Sequence, residues 1–368
     1  MMEINNRLRR LASLTLAMFG LSSAAVAATG TSAEFKMDLR GLRPWKTHPA
    51  STSETIAYST AWATNLTAAQ QASANAVVKV YPAKRNKPKY IAIDLSGGTA
   101  ATHYPIECLE DVPNGGWTDE YKTTKLVLRH IPAGSFIMGS RATDYPGAVN
   151  TNLHMVTLTK DFYMGVFEVT QRQWELVIGN RPSYFTNEIC YATRPVECVS
   201  YQDIRGGDKG LLWPQSKEVD DESFMGIIRC KAGITSLDLP TEAQWEYACR
   251  AGTTTAFNNG MNITGNINED DCAEIENVAR YCGNSNFENM TWDERKACSD
   301  EYCSAKVGSY RANYWGLYDM HGNLWEWCAD AIPTAPDHFM IRGGSYKVRA
   351  SRCTAGFCYS DTEQVGYP

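Results

Sequence analysis

The chain has 368 residues, enough for about two domains of ordinary size and for a core that folds without disulfides. Its 43% hydrophobic and 21% charged residues exclude a wholly disordered or collagen-like chain. The 35 Lys and Arg residues face 41 Asp and Glu residues, giving a formal net charge of −6. A general nucleic-acid binder is not expected, because neutralising phosphates requires a basic face. How the 12 cysteines should be interpreted depends on their compartment.

The N-terminus predicts export. A basic segment with Arg7, Arg9 and Arg10 precedes an apolar run at residues 11–21, and small residues follow as far as Ala27. This order is typical of a secretory signal peptide cleaved after Ala27. The alternative, a membrane anchor, would need an apolar run of roughly 20 residues. We therefore expect a secreted, periplasmic or cell-surface protein (signal peptide 1–27) with no membrane span after cleavage, whose cysteines meet an oxidising environment.

Residues 28–124 are predicted to form a small β-rich N-terminal region. Short, partly alternating apolar runs predict strands at 77–81 and 90–95, and a weak helical pattern lies near 68–76. No residue type in this region indicates chemistry.

The main domain is predicted over residues 125–368. Beyond about residue 253 the chain has few helical runs and many Gly, Asn and Tyr residues. This pattern favours the α+β class, as a large irregular domain with little regular secondary structure. Ser200 with Asp203 offers one helix start in its first half.

Two further helices of this domain are marked by capping residues. Thr170 can cap a helix over 171–178. Thr241 and Gln244 have the spacing of a capping box for a helix over 242–251. Both helices carry apolar residues on one face, which predicts that they pack against a core.

Six segments occur in an order that is specific to one protein family. They are IPAGSFIMGS (131–140), FYMGVFEVTQ (162–171), RPVECVSYQD (194–203), LPTEAQWEYACRAG (239–252), GLYDMHGNLWEW (316–327) and IRGGSY (341–346). The series resembles the formylglycine-generating enzyme, or sulfatase-modifying factor, family over about residues 125–368. The resemblance implies one compact domain with a C-type-lectin-like core.

The resemblance also implies a chemistry, which this chain departs from at one position. Formylglycine-generating enzymes oxidise a sulfatase cysteine with O₂ and a Cu(I) ion held by two thiolates, ligands that suit this soft ion. In the family the first copper cysteine lies two residues after the aromatic residue that Tyr346 matches, and the second lies five further on. Here these positions hold Val348 and Cys353. Cys353 and Cys358 reproduce the spacing of the copper pair, but the motif makes them the second and third family cysteines. Copper is therefore not expected.

The resemblance implies a disulfide between Cys249 and Cys358, the matches of a bridged family pair. Cys353 is the candidate catalytic residue and has two interpretations. It could be a reactive thiol or metal ligand. It could instead be a half-cystine, for which Cys328 is a plausible partner.

Other cysteines predict local bridges. Four crowd one coil-rich region, at positions 272, 282, 298 and 303. Their spacing is poor for a zinc site, so two local disulfides are expected there. Cys190 and Cys198 could form a third.

The resemblance further implies calcium. Its ligands would be the Asp319 side chain, the backbone carbonyls of Gly322 and Leu324, and the Glu326 carboxylate, all hard oxygen donors of the kind calcium prefers. The alternative is a core turn with two buried tryptophans and no metal. A second calcium site is implied near residues 277–284, with ligands that the sequence does not assign.

The leading hypothesis is an exported family domain without formylglycine-generating activity, acting as a binding or accessory module for a protein, peptide or glycan. The first alternative is a copper-dependent formylglycine-generating oxidase that uses Cys353, and Val348 argues against it. The second is a lectin-like carbohydrate- or peptide-binding protein, suggested by the many aromatic residues. Whether any catalysis survives stays open. Family members end in a Gly-Phe-Arg strand, and this chain stops at residues 365–368, so the resemblance implies that the last strand is missing.

Overall fold

The computed structural model describes residues 17–18, 87–149, 151–265, 272–297 and 302–362. The predicted helix near 68–76 and strand at 77–81 lie outside the described residues, as does Cys298. The same holds for the predicted signal peptide apart from Ala17 and Met18.

The described residues combine short strands and short helices with long irregular connections. The strands are β1 (Ala17–Met18), β2 (Tyr90–Asp94), β3 (Ile106–Leu109), β4 (Lys125–Ile131), β5 (Gly134–Ser140), β6 (Thr151–Leu158), β7 (Phe162–Gly165), β8 (Leu237–Asp238), β9 (Ala279–Arg280), β10 (His321–Gly322), β11 (Glu326–Ile332), β12 (Ala335–Arg342) and β13 (Tyr359–Thr362). The helices are α1 (Glu120–Thr123), α2 (Gln171–Ile178), α3 (Tyr201–Arg205), α4 (Phe224–Ala232), α5 (Glu242–Arg250), α6 (Cys282–Ser285) and α7 (Trp292–Ala297). The predicted α+β class is confirmed.

The largest sheet has the strand order β3-β2-β4-β7-β1-β8, with antiparallel neighbours throughout. The predicted strand at 90–95 is present as β2, and Ile91 pairs with Leu128 of β4. This pairing crosses residue 124, so β2 and β3 belong to the same sheet as the first strand of the main domain. The two-residue strand β1, within the predicted signal peptide, pairs with β7 and β8.

The predicted helix starts are confirmed by their hydrogen bonds. Thr170 Oγ1 accepts the Gln173 N–H at 3.3 Å, and Gln173 Oε1 accepts the Thr170 N–H at 2.9 Å. Thr241 and Gln244 make the same reciprocal pair at the start of α5. Such pairs satisfy backbone donors that a helix start leaves without partners. Helix α5 ends at Arg250, one residue earlier than predicted.

The main core lies between the large sheet and the helices. The Trp174 ring of α2 stacks on the Phe224 ring of α4, with centroids 4.8 Å apart. A second core cluster forms around Trp245 of α5, which packs with residues of β4, β5 and β7. Within the described residues, no helix is both long enough and apolar enough to cross a bilayer.

Two small sheets position the candidate site. In the sheet β11-β12-β13, Ile341 of β12 pairs with Trp327 on one side and Tyr359 on the other. Strand β12 ends at Arg342 and leads directly into two glycines. The second sheet is the parallel pair β9-β10, in which Gly322 is opposite Arg280. The site therefore lies where three separate chain segments meet.

Candidate functional site

A glycine turn after β12 forms one wall of the site. Gly343 and Gly344 have φ values of +90° and +82°, in the left-handed region that favours glycine. A Cβ atom at Gly344 would lie 2.6 Å from the Cys353 Sγ atom, closer than any side chain tolerates. The turn can approach the thiol only because the residue is glycine.

Cys353 lies beneath this turn and is fully buried. A 3-10 turn at Ala350–Arg352 precedes it. Burial raises the pKa of the Cys353 thiol well above its usual value, and the neighbouring Cys282 thiol raises it further. Hydrogen bonds from the Ser345 and Gly322 N–H groups act in the opposite direction without cancelling the effect of burial. Because the thiolate is the nucleophile, the raised pKa keeps Cys353 in its protonated, weakly nucleophilic form at neutral pH.

Val348, which the resemblance matches to the first copper cysteine of the family, is a packing residue. Its side chain is 7% exposed and belongs to the main hydrophobic core. Its N–H donates to the Ser345 carbonyl, and its own carbonyl accepts the Cys282 N–H, each at 3.1 Å. The position therefore carries backbone and carbon contacts and offers no sulfur ligand.

His321 connects the backbone at Cys353 to the backbone at Asn258. Its Nε2 accepts the Asn258 N–H at 3.0 Å, so the proton lies on Nδ1, which donates to the Cys353 carbonyl at 2.7 Å. Burial lowers the pKa of His321 to about 4, and the ring is neutral at physiological pH. The Cys249 Sγ lies 3.7 Å from Nε2. The sequence assigned no role to His321, because a lone histidine within a family segment gives no sign of its partners.

Asp319, a predicted calcium ligand, is buried in a left-handed backbone conformation with φ of +57°. Its Oδ2 accepts the Gly308 N–H at 2.6 Å, whereas the buried Oδ1 has no hydrogen-bond partner. Burial raises the pKa of Asp319 to about 6, against the opposing effects of the Gly308 N–H and the Lys122 charge. An unsatisfied carboxylate oxygen of this kind is costly unless a cation or a proton compensates it.

Two more of the predicted calcium ligands converge beside Gly343. The Leu324 carbonyl oxygen and Glu326 Oε1 lie 3.6 and 3.8 Å from the point where a Cβ on Gly343 would be. The other Glu326 oxygen accepts the indole N–H of Trp245. Gly322, the fourth predicted ligand, donates its N–H to the Gly343 carbonyl at 2.7 Å. The predicted residues thus share one buried turn.

Glu168 is a third buried carboxylate at this turn, and sequence reasoning missed it. Its oxygens accept the Leu324 N–H at 3.1 Å and the Asn323 side-chain amide at 2.5 Å. Burial raises the pKa of Glu168 well above its usual value, and the charges of Asp319 and Glu326 add to the effect. The only sequence signal was its place in the 162–171 segment.

The three carboxylates do not form a metal site through side chains alone. In the described part of the chain, no three His, Cys, Asp or Glu side chains are grouped closely enough to hold a metal ion. A cation at this turn would therefore depend on backbone carbonyl ligands, which calcium accepts readily.

The predicted disulfide partners differ in burial, because Cys249 is buried and Cys358 is exposed. The Cys249 thiol donates to the Met320 carbonyl at 3.6 Å. The charges that act most on Cys358 and on Cys328 are those of Arg342 and Glu242. Cys249, Cys358 and Cys328 all carry free thiols in this structure. The Cys249–Cys358 bridge stays a prediction.

Comparison with known proteins identifies the family. The sulfatase-modifying factor enzyme 1-like domain matches residues 118–366. The chaperone protein LppX of Paenibacillus barcinonensis is 33% identical over 213 residues, covering 52% of this chain and 71% of that protein. The formylglycine-generating enzyme of Mus musculus is 24% identical over 282 residues, covering 66% of this chain and 71% of the enzyme.

A bacterial enzyme and a solved structure are also similar. The formylglycine-generating enzyme of Mycobacterium tuberculosis is 33% identical over 235 residues, covering 54% of this chain and 72% of the enzyme. Treponema denticola variable protein 1 superposes with a TM-score of 0.46 at 23% identity, covering 66% of this chain and 92% of its own. With a family domain matched over residues 118–366, this chain belongs to the sulfatase-modifying factor enzyme 1-like family, and the resemblance of its six segments is confirmed.

Proposed function

We propose that this chain is an exported accessory protein that binds a protein, peptide or glycan partner and does not generate formylglycine. The observation that carries this proposal is Val348, which stands where the family places the first copper cysteine. The copper ion of the family does not fit the residues present at that position.

The chemistry of the two positions supports this conclusion. Cu(I) is held by soft thiolate ligands, and the Val348 side chain offers only carbon. The remaining thiol, Cys353, is buried, and burial raises its pKa. One protonated thiol is a poor replacement for two thiolates, because the thiolate is the ligand form.

The relatives support a binding role. One relative of this chain is named as a chaperone and is 33% identical to it, the same identity as the Mycobacterium tuberculosis enzyme. Members of one fold family often differ in function, because function depends on the residues of the site. A client-binding role is therefore compatible with this family and with the loss of the first copper cysteine.

An oxidase assay tests the proposal. Purified protein is incubated with Cu(I), O₂ and a peptide carrying the sulfatase cysteine motif, and the peptide is analysed by mass spectrometry. We expect no formylglycine from the wild type. The matched variant Val348→Cys adds the absent thiol, and tighter Cu(I) binding by this variant would identify position 348 as the block. Formylglycine formation by the wild type would overturn the proposal.

Export is the second part of the proposal. It is supported by the basic segment, the apolar run at 11–21 and the small residues that end at Ala27. Expression in a bacterial host followed by N-terminal sequencing provides the test. A mature chain that begins at Ala28 in the periplasm or medium is expected, and an uncleaved cytoplasmic chain would contradict export.

We further propose that a structural calcium ion binds at the turn of Asp319, Gly322, Leu324 and Glu326. The proposal is supported by the unpartnered Asp319 Oδ1 and by the convergence of the Leu324 carbonyl and Glu326 Oε1 beside Gly343. A divalent cation would also offset the mutual repulsion of the buried carboxylates. Calcium would stabilise the turn, with no role in a reaction.

A further inference from the structure

Helix α6 packs its first residue against the turn that holds Cys353. The Cys282 N–H donates to the Val348 carbonyl at 3.1 Å. A 3-10 turn begins at Ala350, two residues after Val348, and the Cys353 N–H donates to the Ala350 carbonyl at 3.0 Å. The segment 348–353 therefore has Cys282 hydrogen-bonded to its first residue and Cys353 as its last residue.

Their thiols differ in accessibility. Cys353 is fully buried. Gly344 covers one side of its sulfur, and a Cβ atom on Gly344 would lie 2.6 Å from the Cys353 Sγ. Cys282 is only half-buried. Of the charges that act on the Cys353 thiol, that of Cys282 has the largest effect on its pKa, in agreement with the backbone contact between Cys282 and Val348.

The other candidate partners are less favourable. Cys272 affects the pKa of Cys353 less than Cys282 does, and its own thiol donates to Glu274 Oε2 at 3.3 Å. The charges with the largest effect on Cys328 are those of Arg342 and Glu242. The Cys272 thiol therefore already has a carboxylate acceptor.

We propose that Cys282 and Cys353 form a redox-sensitive disulfide that links the segment 348–353 to helix α6. Formation of the S–S bond removes two protons and two electrons from the pair. A disulfide in the compartment to which the protein is exported, such as oxidised glutathione or a protein disulfide, accepts these protons and electrons and is released as two thiols. Because Cys282 is half-buried and Cys353 is fully buried, a reductant reaches the bond from the Cys282 side.

Peptide mapping tests the pairing directly. Trypsin cleavage after Arg280, Arg295 and Arg352 places Cys272, Cys282 and Cys353 on the separate peptides 251–280, 281–295 and 353–368. Full-length protein equilibrated with oxidised glutathione and digested without reductant is expected to give 281–295 linked to 353–368.

The last peptide also carries Cys358, so a variant assigns the bond. The link is expected to persist in Cys358→Ser and to disappear in Cys353→Ser and in Cys282→Ser. A link from 353–368 to 251–280 or to 312–342, which carry Cys272 and Cys328, would overturn the proposal, and so would an unlinked 353–368 peptide.

A stability measurement gives a second readout that does not depend on the Cys353→Ser variant folding. Reduction of the wild type should lower its melting temperature by roughly 5 °C or more, the order expected when one long-loop disulfide is lost. Cys282→Ser should show a smaller shift on reduction than the wild type, because it lacks this one bond, whereas the matched control Cys230→Ser, at an exposed thiol, should keep the full wild-type shift. Equal shifts in all three proteins would contradict the pairing.

Discussion

Arg342 donates from Nη2 to Glu246 Oε2 over 3.0 Å, and both side chains are buried. The same carboxylate accepts from Arg250 Nε and from the Gly139 N–H, each at 2.9 Å. Glu246 therefore connects helix α5 to β12 and to β5 at once. Breaking a buried pair is strongly destabilising, because it leaves a charge without compensation.

Replacing Glu246 with Gln should lower the free energy of unfolding by about 3–5 kcal/mol near pH 7, because two buried guanidinium groups lose their shared carboxylate. Urea denaturation measures the change. The matched control Glu188→Gln breaks an ion pair with Arg181 in which the glutamate is 71% exposed, and it should cost less than about 1 kcal/mol. Equal effects of the two substitutions would contradict the role given to burial.

The same residue predicts an acid-dependent loss of stability. Burial raises the pKa of Glu246, but the Arg250 and Arg342 charges outweigh it, and the net pKa lies below the ordinary value of 4.5. A carboxyl with a depressed pKa stabilises the fold above its unfolded-state pKa and loses that contribution as pH falls through its folded-state pKa. Stability should therefore fall below about pH 4.5 in the wild type and less steeply in Glu246→Gln. Parallel pH profiles would contradict this assignment.

His321 should cause a second loss of stability on acidification, in a pH range above that of Glu246. Burial lowers its pKa from 6.5 to about 4, so the unfolded chain binds a proton more readily than the folded one between these values. Stability is thus complete above pH 6.5 and declines as pH falls toward 4, by about 3 kcal/mol in total. Urea denaturation across this range should show a flatter profile for His321→Gln. The exposed control His103→Gln should keep the wild-type profile.

Calcium should stabilise the fold through the Asp319 turn. An excess of about 100-fold over the dissociation constant would add about 2.7 kcal/mol, visible as a higher melting temperature that a chelator reverses. Asp319→Asn should lose most of the effect, whereas Asp337→Asn, at an exposed aspartate, should keep it. Burial raises the pKa of Asp319 to about 6, so the metal-free carboxyl is protonated in acid and the benefit of calcium should shrink below that pH. A melting temperature that neither calcium nor chelator changes would contradict the proposed calcium site.

The capping pair of α5 gives a prediction at a smaller scale. Thr241→Ala removes the hydroxyl that accepts the Gln244 N–H at 3.1 Å, and should cost about 1 kcal/mol of unfolding free energy. Thr102→Ala, at an exposed threonine outside helices and strands, provides the control and should change stability by less than about 0.5 kcal/mol. Chemical denaturation distinguishes the two, and a neutral Thr241→Ala would mean that Gln244 finds another partner.

Local signals in the sequence predicted local structure well. The capping residues Thr170, Ser200 and Thr241 gave three correct helix starts, because a cap bonds within its own first turn. The end of α5 was one residue off, since the chain reverses at Ala251 in a left-handed conformation that favours glycine.

The assembly of the site could not be predicted in the same way. Glu168 joins the Asp319 turn through hydrogen bonds to Asn323 and Leu324, residues more than 150 positions away. Cys282 meets Val348 through a hydrogen bond between segments that are distant in sequence. Residue types and spacing describe neighbours along the chain, whereas these contacts are created by the packing of distant segments.

The two-residue parallel pair of β9 and β10 also bears on how the protein folds. It joins Ala279 to His321, and no regular hairpin connects the two strands, so a long loop must close before the pair forms. Such closure costs conformational entropy before any contact compensates for it, so contacts between residues distant in sequence form slowly. The turn that carries Asp319 and the buried contacts around Cys353 should therefore be completed late in refolding, after the large sheet and α5. Amide hydrogen exchange would then detect this corner as the first part of the described domain to open and the last to become protected.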